Sequence, residues 1–544
     1  MGFPRGYHVE DGIWVPDAGS RDVAYDDGDP VEEGMGRILA GLRDRSVLSA
    51  EVRGAVRDPA TRYYLSPRRA NLLRPFAGAL RGRVLEVGAG CGSITRYLGE
   101  LGGDVTAVEG TRRRAGLARA RTADLANVRV VWEDAARLAV EEPHDVLVLV
   151  GVLEYARVIL GGAEAQARLL RHARGLLRPG GLLLLAIENQ IGCKYWAGAP
   201  EDHYGAPFFG LQDGYDPATV ATFGRRELAA LLEGAGFPHQ AWYVPVPDYK
   251  VPAAILSPEG LRRSRDLGAA AILAQNVWGD ERGPARPLFS LEQAWSVLER
   301  NGLLLDFANS FLVAAAAEPG PLERLGHGSA LAWLYAVDRP AAFARESCIR
   351  EAGGALVAER RPLAPQAPAP PVPVAWRLYD EPWPGGDNAW CDLAALVTKR
   401  GWGRAQVAAW GRRWLEAVFA AAGLPAPQGA LDPRQRLPGH LLEATPLRLW
   451  WDGATGRFVD LEWELPGGVE LGLLAIHALG GSLGRLTSIT WSDASPPPTP
   501  AGLLRDLCAD LGIALGPEDW PRYGRAAAEW QAWLGGGPAP GGAG

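Results

Sequence analysis

A glycine-rich turn carries the clearest chemical signal in the sequence. Residues 84–95 have the sequence VLEVGAGCGSIT, in which an apolar segment is followed by three closely spaced glycines. Glycine lets a ligand approach the backbone closely. The spacing is G-x-G-x-G, with Ser93 where the dinucleotide-binding pattern G-x-G-x-x-G has its last glycine. Glu86, two residues before the first glycine, is unsuited to a pyrophosphate but suited to an ammonium group, so the turn argues against a nicotinamide dinucleotide.

Two further acidic residues follow the next apolar segments. Glu109 ends the second segment, about twenty residues beyond the glycines, where a carboxylate can accept hydrogen bonds from both hydroxyls of a ribose. Asp134 follows the third segment, where an acid can accept a hydrogen bond from an adenine amino group. The three acids therefore suit an adenosine that also carries an ammonium group.

These residues lie where short apolar strands alternate with helical stretches. The predicted strands are residues 84–87, 105–108, 128–132, 146–150, 182–187, 241–246 and 310–315. Such alternation predicts an α/β fold in which helices cover both faces of a parallel sheet. Open sheets of this kind bind their ligands at the carboxyl ends of the strands.

The order of these motifs, with LRPGG at residues 177–181 before the fifth strand, resembles the class I methyltransferases that use S-adenosylmethionine. The resemblance implies a Rossmann-like seven-stranded sheet and S-adenosylmethionine as the cofactor. The cofactor-binding residues it implies are Tyr64, Glu86, Gly88, Ala89, Gly90, Gly92, Glu109, Gly110, Asp134, Ala135, Val150 and Gly151.

Flanking motifs resemble one bacterial subgroup of large methyltransferases associated with cell-surface polysaccharide and glycan biosynthesis. They are YYLSPRRANLLR at 63–74, AIENQ at 186–190, KY at 194–195, GAPEDH at 198–203 and PDYK at 247–250. This resemblance implies O-methylation of a sugar hydroxyl or a glycosylated intermediate, by analogy. A small natural product as acceptor and a non-catalytic scaffold remain the alternatives, and N- or C-methylation is not excluded.

Methyl transfer to an alcohol requires a group that removes the hydroxyl proton. His203 is the first candidate, because imidazole titrates near neutral pH and Glu201 and Asp202 could orient it. Glu188 and Asp248 are the other catalytic candidates. No metal site is predicted.

The 544 residues are enough for several domains. We expect a helical N-terminal cover at 1–75, a methyltransferase domain at 76–316 with an insertion at about 252–302, a linker at 317–330, a second α+β domain at 331–534 and a flexible tail at 535–544.

The second domain gives weaker signals. VDLEW at 459–463 faintly resembles a metal-binding segment of small-molecule phosphotransferases, but Arg448 stands where asparagine would bind the metal, and no G-x-x-x-x-G-K-[ST] loop is present. We therefore predict no active kinase, and we expect Asp460 and Glu462 on the polar face of a half-buried strand. The role of this domain is left open.

Composition limits the partners and the compartment. With 56 basic and 63 acidic residues, the net charge of -7 does not provide the basic surface that nucleic acid requires. We find no apolar run near the roughly 20 residues of a membrane helix and no secretory signal. Five widely spaced cysteines favour a reducing compartment, so a cytoplasmic location is predicted. The expected partner is a small-molecule or glycan acceptor, and the oligomeric state is left open.

Overall fold

The computed structural model describes residues 6–23, 28–138, 140, 142–370, 372, 374–453, 455–493 and 499–534. The predicted flexible tail at 535–544 lies outside the described residues. The chain divides into a first unit, residues 1–259 and 305–329, and a second unit, residues 260–304 and 330–544. None of the described helices is both long enough and apolar enough to cross a membrane.

The strands of the first unit are β1 Tyr7–Glu10, β2 Ile13–Pro16, β3 Arg83–Val87, β4 Asp104–Glu109, β5 Val128–Trp132, β6 His144–Val150, β7 Leu177–Glu188, β8 His239–Val246, β9 Ala254–Leu256 and β10 Ser310–Ala316. Those of the second unit are β11 Ala330–Ala336, β12 Arg345–Ala352, β13 Ala355–Pro362, β14 Ala375–Trp376, β15 Glu381–Pro382, β16 Arg436–Leu437, β17 Leu449–Asp452, β18 Thr455–Phe458, β19 Trp463–Glu464 and β20 Val469–Glu470.

The helices up to residue 323 are α1 Asp29–Gly41, α2 Ala50–Gly54, α3 Pro59–Leu65, α4 Arg68–Asn71, α5 Ser93–Glu100, α6 Arg112–Arg121, α7 Ala156–Leu160, α8 Ala165–Leu176, α9 Cys193–Trp196, α10 Arg225–Gly234, α11 Pro258–Arg262, α12 Ser264–Leu267, α13 Ala269–Asn276, α14 Leu291–Arg300 and α15 Gly320–Glu323. The later ones are α16 Ala389–Val397, α17 Arg404–Ala421, α18 Leu471–Ala475, α19 Gly481–Gly484, α20 Pro500–Asp510 and α21 Asp519–Leu534.

Seven strands of the first unit form its central sheet in the order β5-β4-β3-β6-β7-β10-β8. Neighbours from β5 to β7 pair in parallel, whereas β10 pairs antiparallel with both β7 and β8. The strands β6 and β7 are almost entirely buried, as expected when helices cover both faces of a parallel sheet. The predicted Rossmann-like fold is confirmed.

The N-terminal residues differ from the predicted helical cover. Before α1, the strands β1 and β2 form an antiparallel hairpin, and Trp14 of β2 pairs in parallel with Val131 of β5. The hairpin is short, and only β2 has an apolar buried side, so its four-residue strands left little periodic signal in the sequence. It extends the edge of the central sheet.

Two segments near the predicted domain boundaries are also placed differently. Residues 260–304, expected within the insertion of the methyltransferase domain, belong to the second unit, because α13 and α14 pack against α16. The predicted linker at 317–330 contains α15, which begins with a proline in its first turn and packs against β7 and β10 of the first unit.

The second unit has the α+β character expected of it. Strands β11, β12 and β13 form the predicted antiparallel sheet, β17 and β18 form the predicted hairpin, and α16 and α17 are the two predicted helices. Its core is rich in large aromatic side chains, among them Trp402, Trp410, Trp414, Trp463, Trp530 and Trp533.

The expected place of Asp460 and Glu462 on a polar strand face is wrong. Both residues lie between β18 and β19, outside any strand, and Glu462 is buried. Glu462 accepts hydrogen bonds from Arg339 at 2.8 Å, from Arg345 at 2.8 Å and from the indole of Trp376 at 2.9 Å. Burial alone would raise the pKa of Glu462, but the charges of Arg345 and Arg339 hold it well below its usual value.

The glycine turn connects β3 to α5, and Gly92 is the residue before the helix. Its φ of 79° is left-handed, and a Cβ there would lie 2.8 Å from the backbone Cα of Ala118 in α6. Gly92 therefore allows α5 and α6 to approach each other closely.

We expect Gly92→Ala to lower the free energy of unfolding by about 2 to 5 kcal/mol, because it adds backbone strain and overpacks the contact with α6. The matched control is Gly116→Ala in α6, where an added Cβ meets no atom within 4 Å. The measurement is urea denaturation of both variants beside the parent protein. Equal stability of the two variants would contradict this role for Gly92.

Candidate active site

A cavity lies at the carboxyl ends of β3, β4, β5 and β6. The predicted cofactor-binding residues that line it are Tyr64, Glu86, Gly88, Ala89, Gly90, Glu109, Gly110, Asp134, Ala135, Val150 and Gly151. Gly92 does not line it and packs against α6 instead.

Two opposite charges face the cavity at one place. Glu86 of β3 is buried, its Oε2 has no hydrogen-bond partner, and burial raises the pKa of this carboxyl to about 7. Arg69 of α4 is also buried and lines the cavity; its guanidinium stacks 4.4 Å from the ring centre of Tyr63 and donates a 2.8 Å hydrogen bond to the carbonyl of Lys250. Nε of Arg69 has no partner. The pair suits a zwitterionic amino acid group.

Glu109 holds the glycine turn in shape. Its Oε2 accepts a 2.8 Å hydrogen bond from the backbone N–H of Gly90, and its Oε1 accepts one of 3.0 Å from the N–H of Thr111. Oε1 also accepts a 3.3 Å hydrogen bond from the hydroxyl of Thr111. A carboxylate has about four acceptor positions, so Oε2 can still accept a ribose hydroxyl from the cavity.

The far end of the cavity is acidic. Asp134 accepts a 2.9 Å hydrogen bond from the N–H of Ala136. Glu133, which the sequence analysis missed, lines the cavity beside it and accepts hydrogen bonds of 3.3 Å from Tyr7 and from Ser20. Tyr7 of the hairpin and Ser20, which follows it, therefore hold Glu133 in the cavity wall, although both are more than a hundred positions away in the sequence.

A second group of polar residues lies behind Gly151. We call it the buried charge cluster, and its members are Glu154, Glu188, Lys194, Glu201, Asp202, His203, Asp248 and Lys250. A Cβ on Gly151 would lie 2.9 Å from the hydroxyl of Tyr249 and 3.6 Å from Oε1 of Glu154. The ring of Tyr155, which lines the cavity, makes an edge contact with His203 at 5.4 Å. The cluster therefore adjoins the cavity wall.

The structure brings the three predicted catalytic candidates into this cluster, although none of them lines the cavity. Glu188 ends β7, Asp248 follows β8, and His203 lies in the loop after α9. Strands β7 and β8 are both antiparallel to β10, so their carboxyl ends meet at the same edge of the sheet.

Asp248 and Glu188 differ in how many of their carboxylate oxygens already have a hydrogen-bond or ion-pair partner. Both oxygens of Asp248 are occupied, Oδ2 by Lys194 at 3.2 Å and Oδ1 by the backbone N–H of Lys250 at 2.8 Å. Oε1 of Glu188 accepts hydrogen bonds from Tyr249 and Lys250, but its Oε2 has no partner. Glu188 thus has a free, buried oxygen, and Asp248 does not.

His203 is held by Glu201, whose Oε1 lies 3.0 Å from Nδ1 of the imidazole. Burial alone would lower the pKa of His203, but the hydrogen bond to Glu201 and the charges of Glu188 and Glu154 raise it to about 9. The imidazole is therefore protonated at neutral pH and cannot accept a proton there. This argues against His203 as the base in the protein without ligands.

Glu154 is a cluster member that the sequence analysis missed. It lies in a short turn at Leu153–Tyr155 after β6, it is buried, and its Oε2 has no partner. Burial and the charge of Glu188 raise the pKa of Glu154 to about 8. Glu154 could have been predicted as a site residue from the sequence, because it follows the fourth predicted strand and the carboxyl ends of parallel strands meet at one edge of the sheet.

Comparison with solved structures found several methyltransferases. CcbJ from Streptomyces caelestis is 21% identical, with a TM-score of 0.26 over 34% of this chain and 88% of its own. A methyltransferase from Thermotoga maritima, described as a possible histamine N-methyltransferase, is 17% identical, with a TM-score of 0.26 over 46% and 91%. The N-methyltransferase NodS from Bradyrhizobium japonicum, in complex with S-adenosylhomocysteine, is 22% identical, with a TM-score of 0.22 over 31% and 78%. No curated protein sequence matches the chain.

Residues 85–183, which run from β3 into β7, match a family model described as a methyltransferase domain. The first unit therefore carries a methyltransferase domain. S-adenosylmethionine is the cofactor that the charge pair of Glu86 and Arg69, the shape of the glycine turn and the remaining acceptor position of Glu109 all fit.

We expect the affinity for S-adenosylhomocysteine to depend on the ionisation of Glu86. Below pH 7 this carboxyl holds a proton, which has to leave before the carboxylate can bind the ammonium group of the ligand, so the dissociation constant should rise about tenfold between pH 8 and pH 6. Calorimetric titration with S-adenosylhomocysteine at several pH values measures this dissociation constant. Glu86→Gln should bind weakly at every pH and lose this slope; an unchanged slope in that variant would contradict the role of Glu86.

Proposed function

We propose that the chain is an O-methyltransferase whose acceptor is a sugar hydroxyl or a glycosylated intermediate. The buried charge cluster beside the cofactor cavity carries this proposal, because its unpartnered carboxylate oxygens suit an acceptor hydroxyl and its proton. The polar character of the cluster favours a hydroxyl-rich acceptor over an apolar one. The sequence motifs shared with glycan-related methyltransferases support the same acceptor class by analogy.

Residues of the cavity have defined tasks in this proposal. Glu86 holds the ammonium group of the cofactor and Arg69 holds its carboxylate. Glu109 accepts the ribose hydroxyls, and Asp134 accepts the adenine amino group. When bound, S-adenosylmethionine supplies a methyl group on a sulfonium, which is already a good leaving group. The protein has only to position the acceptor oxygen and manage its proton.

Glu154 and Glu188 are the residues that we assign to the acceptor hydroxyl. Each is buried and has one free carboxylate oxygen, and Glu154 lies directly behind Gly151 of the cavity wall. The new bond joins the acceptor oxygen to the methyl carbon, the bond from that carbon to sulfur breaks, and the hydroxyl proton passes to a carboxylate. The pKa of Glu154 is raised to about 8, so this group is mostly protonated at neutral pH; we therefore assign proton removal to Glu188 and positioning of the acceptor oxygen to Glu154.

Methyl transfer to matched pairs of acceptors tests the proposed substrate class. The full chain is incubated with labelled S-adenosylmethionine and with glycosides, nucleotide sugars and the corresponding aglycones. We expect label in a methyl ether on a sugar carbon, identified by NMR. Methylation of the aglycone alone, or of a nitrogen, would overturn the acceptor class, and an absence of transfer to every acceptor would count against it too.

Replacement of Glu188 by glutamine keeps the shape of the side chain but removes its charge. We expect Glu188→Gln to lower kcat about a hundredfold or more, the usual effect of losing a proton-transfer group, while the dissociation constant of S-adenosylhomocysteine stays within a few fold. Glu233→Gln, on the exposed side of α10, is the control with full activity. A fully active Glu188→Gln enzyme would remove this residue from the mechanism.

A further inference from the structure

We propose that Glu154, Glu188 and His203 form a binding site for one divalent cation, with Mn²⁺ as the ion used to probe it. One ligand atom from each residue lies within 4.8 Å of the other two. Ligand atoms on opposite sides of an ion with bonds of about 2.2 Å are about 4.4 Å apart, so small side-chain shifts would close the site.

The free atoms of these residues point to a missing partner. Oε2 of Glu154 and Oε2 of Glu188 are buried without a hydrogen-bond partner, and both side chains are 1% exposed. A buried carboxylate oxygen left without a partner costs several kcal/mol unless a cation or donor occupies the space beside it. One ion held by the two carboxylates would satisfy both oxygens.

Glu201 prepares the imidazole for this role. Its carboxylate engages Nδ1 of His203 and also accepts the backbone N–H groups of His203 and Tyr204, so that the ring is held in place. Nε2 is then the nitrogen left for a ligand, and the ion binds there by displacing the proton that the imidazole carries at neutral pH. A carboxylate that binds the second nitrogen of a metal-bound histidine is a common feature of metal sites, because it fixes the ring and makes the bound nitrogen more basic.

The buried charge cluster contains more acidic than basic groups, so it can accept a cation. Lys194 and Lys250 are its lysines, and His203 can add at most one further positive charge. Five carboxylates oppose them, namely Glu154, Glu188, Glu201, Asp202 and Asp248. Even with Glu154 protonated, four carboxylates face at most three positive charges, so negative charge remains in excess in a buried environment, where unpaired charge is costly.

The ligand set selects the kind of cation. Two carboxylates suit Mg²⁺, Ca²⁺ or Mn²⁺, whereas an imidazole nitrogen suits transition metals. Mn²⁺ accepts both ligand types and keeps further positions for water or for an acceptor hydroxyl. Three protein ligands leave such positions open, as in other catalytic metal sites.

The cation site adds a residue-level detail to the proposed function. Only the role of the ion in catalysis rests on that proposed function. An acceptor hydroxyl bound to the cation would be more acidic than a free one, so the ion would supply the acidification that we assign above to the carboxylates alone. The existence of the site does not depend on the identity of the acceptor.

Metal binding is tested on the full chain without cofactor or acceptor. We expect calorimetric titration with MnCl₂, and the loss of the free Mn²⁺ signal in electron paramagnetic resonance, to give one ion per chain with a micromolar dissociation constant. Binding of Mg²⁺ should be at least about tenfold weaker, because the imidazole ligand favours the transition metal. An absence of Mn²⁺ binding, or several weak ions per chain, would overturn the proposal.

Two variants that each remove one negative charge distinguish a specific Mn²⁺ site from non-specific attraction of cations to the cluster. Glu188→Gln should weaken Mn²⁺ binding by about fiftyfold or more, because it removes a ligand. Asp248→Asn removes one negative charge from the same cluster, but both oxygens of Asp248 are already engaged, so it should change the dissociation constant by no more than about fivefold. Equal weakening in the two variants would overturn the assignment of ligands. Binding of S-adenosylhomocysteine serves as the test that each variant is folded.

The two proposals can fail separately. Mn²⁺ binding at the site, with no sugar hydroxyl methylated, supports the cation site and overturns only the acceptor class. Sugar methylation at full rate after treatment with a chelator, in a chain that binds no Mn²⁺, overturns only the cation site.

Discussion

Carboxylates at the ends of buried parallel strands must find cations or hydrogen-bond donors, and this requirement organises the first unit. Glu109 and Glu188 are the last residues of β4 and β7, and Glu86 is the next-to-last residue of β3, so the parallel arrangement brings them to one edge of the sheet. The surrounding segments supply their partners: Lys250 follows β8, and the backbone of the glycine turn donates to Glu109. Each partner holds a loop in place at the same time.

The same requirement gives the cavity and the buried charge cluster beside it different chemistry. Glu86 faces the cavity with an unpartnered oxygen, and Arg69 provides the opposite charge from the N-terminal cover. Behind Gly151, Lys194 and Lys250 neutralise only part of the acidic cluster. The pair that suits a zwitterionic cofactor and the carboxylates proposed to act on an acceptor are thus charges that the fold leaves incompletely paired, at the cost of some stability.

In the second unit, arginine side chains neutralise the buried carboxylates. Glu462 is buried between Arg339 and Arg345, and Asp460 pairs with Arg345 at 2.5 Å. These acids are neutralised within the protein itself, unlike the free carboxylate oxygens of the first unit. Their ion pairs stabilise a particular arrangement of the segments around β19, and they make Asp460 and Glu462 poor candidates for holding a metal ion.

The sequence by itself determined the α/β class, the central strands, the glycine turn and Glu86, Glu109 and Asp134, because hydrophobic periodicity and motif spacing are local properties of the chain. Only the tertiary structure decided that Gly92 packs against α6, that Glu154 lies beside Glu188 and His203, and how each of their atoms is engaged. Glu188 ends β7, whereas Glu154 and His203 come from two separate segments after β6 and α9. Their approach depends on how parallel strands align at one edge, which spacing along the chain does not encode.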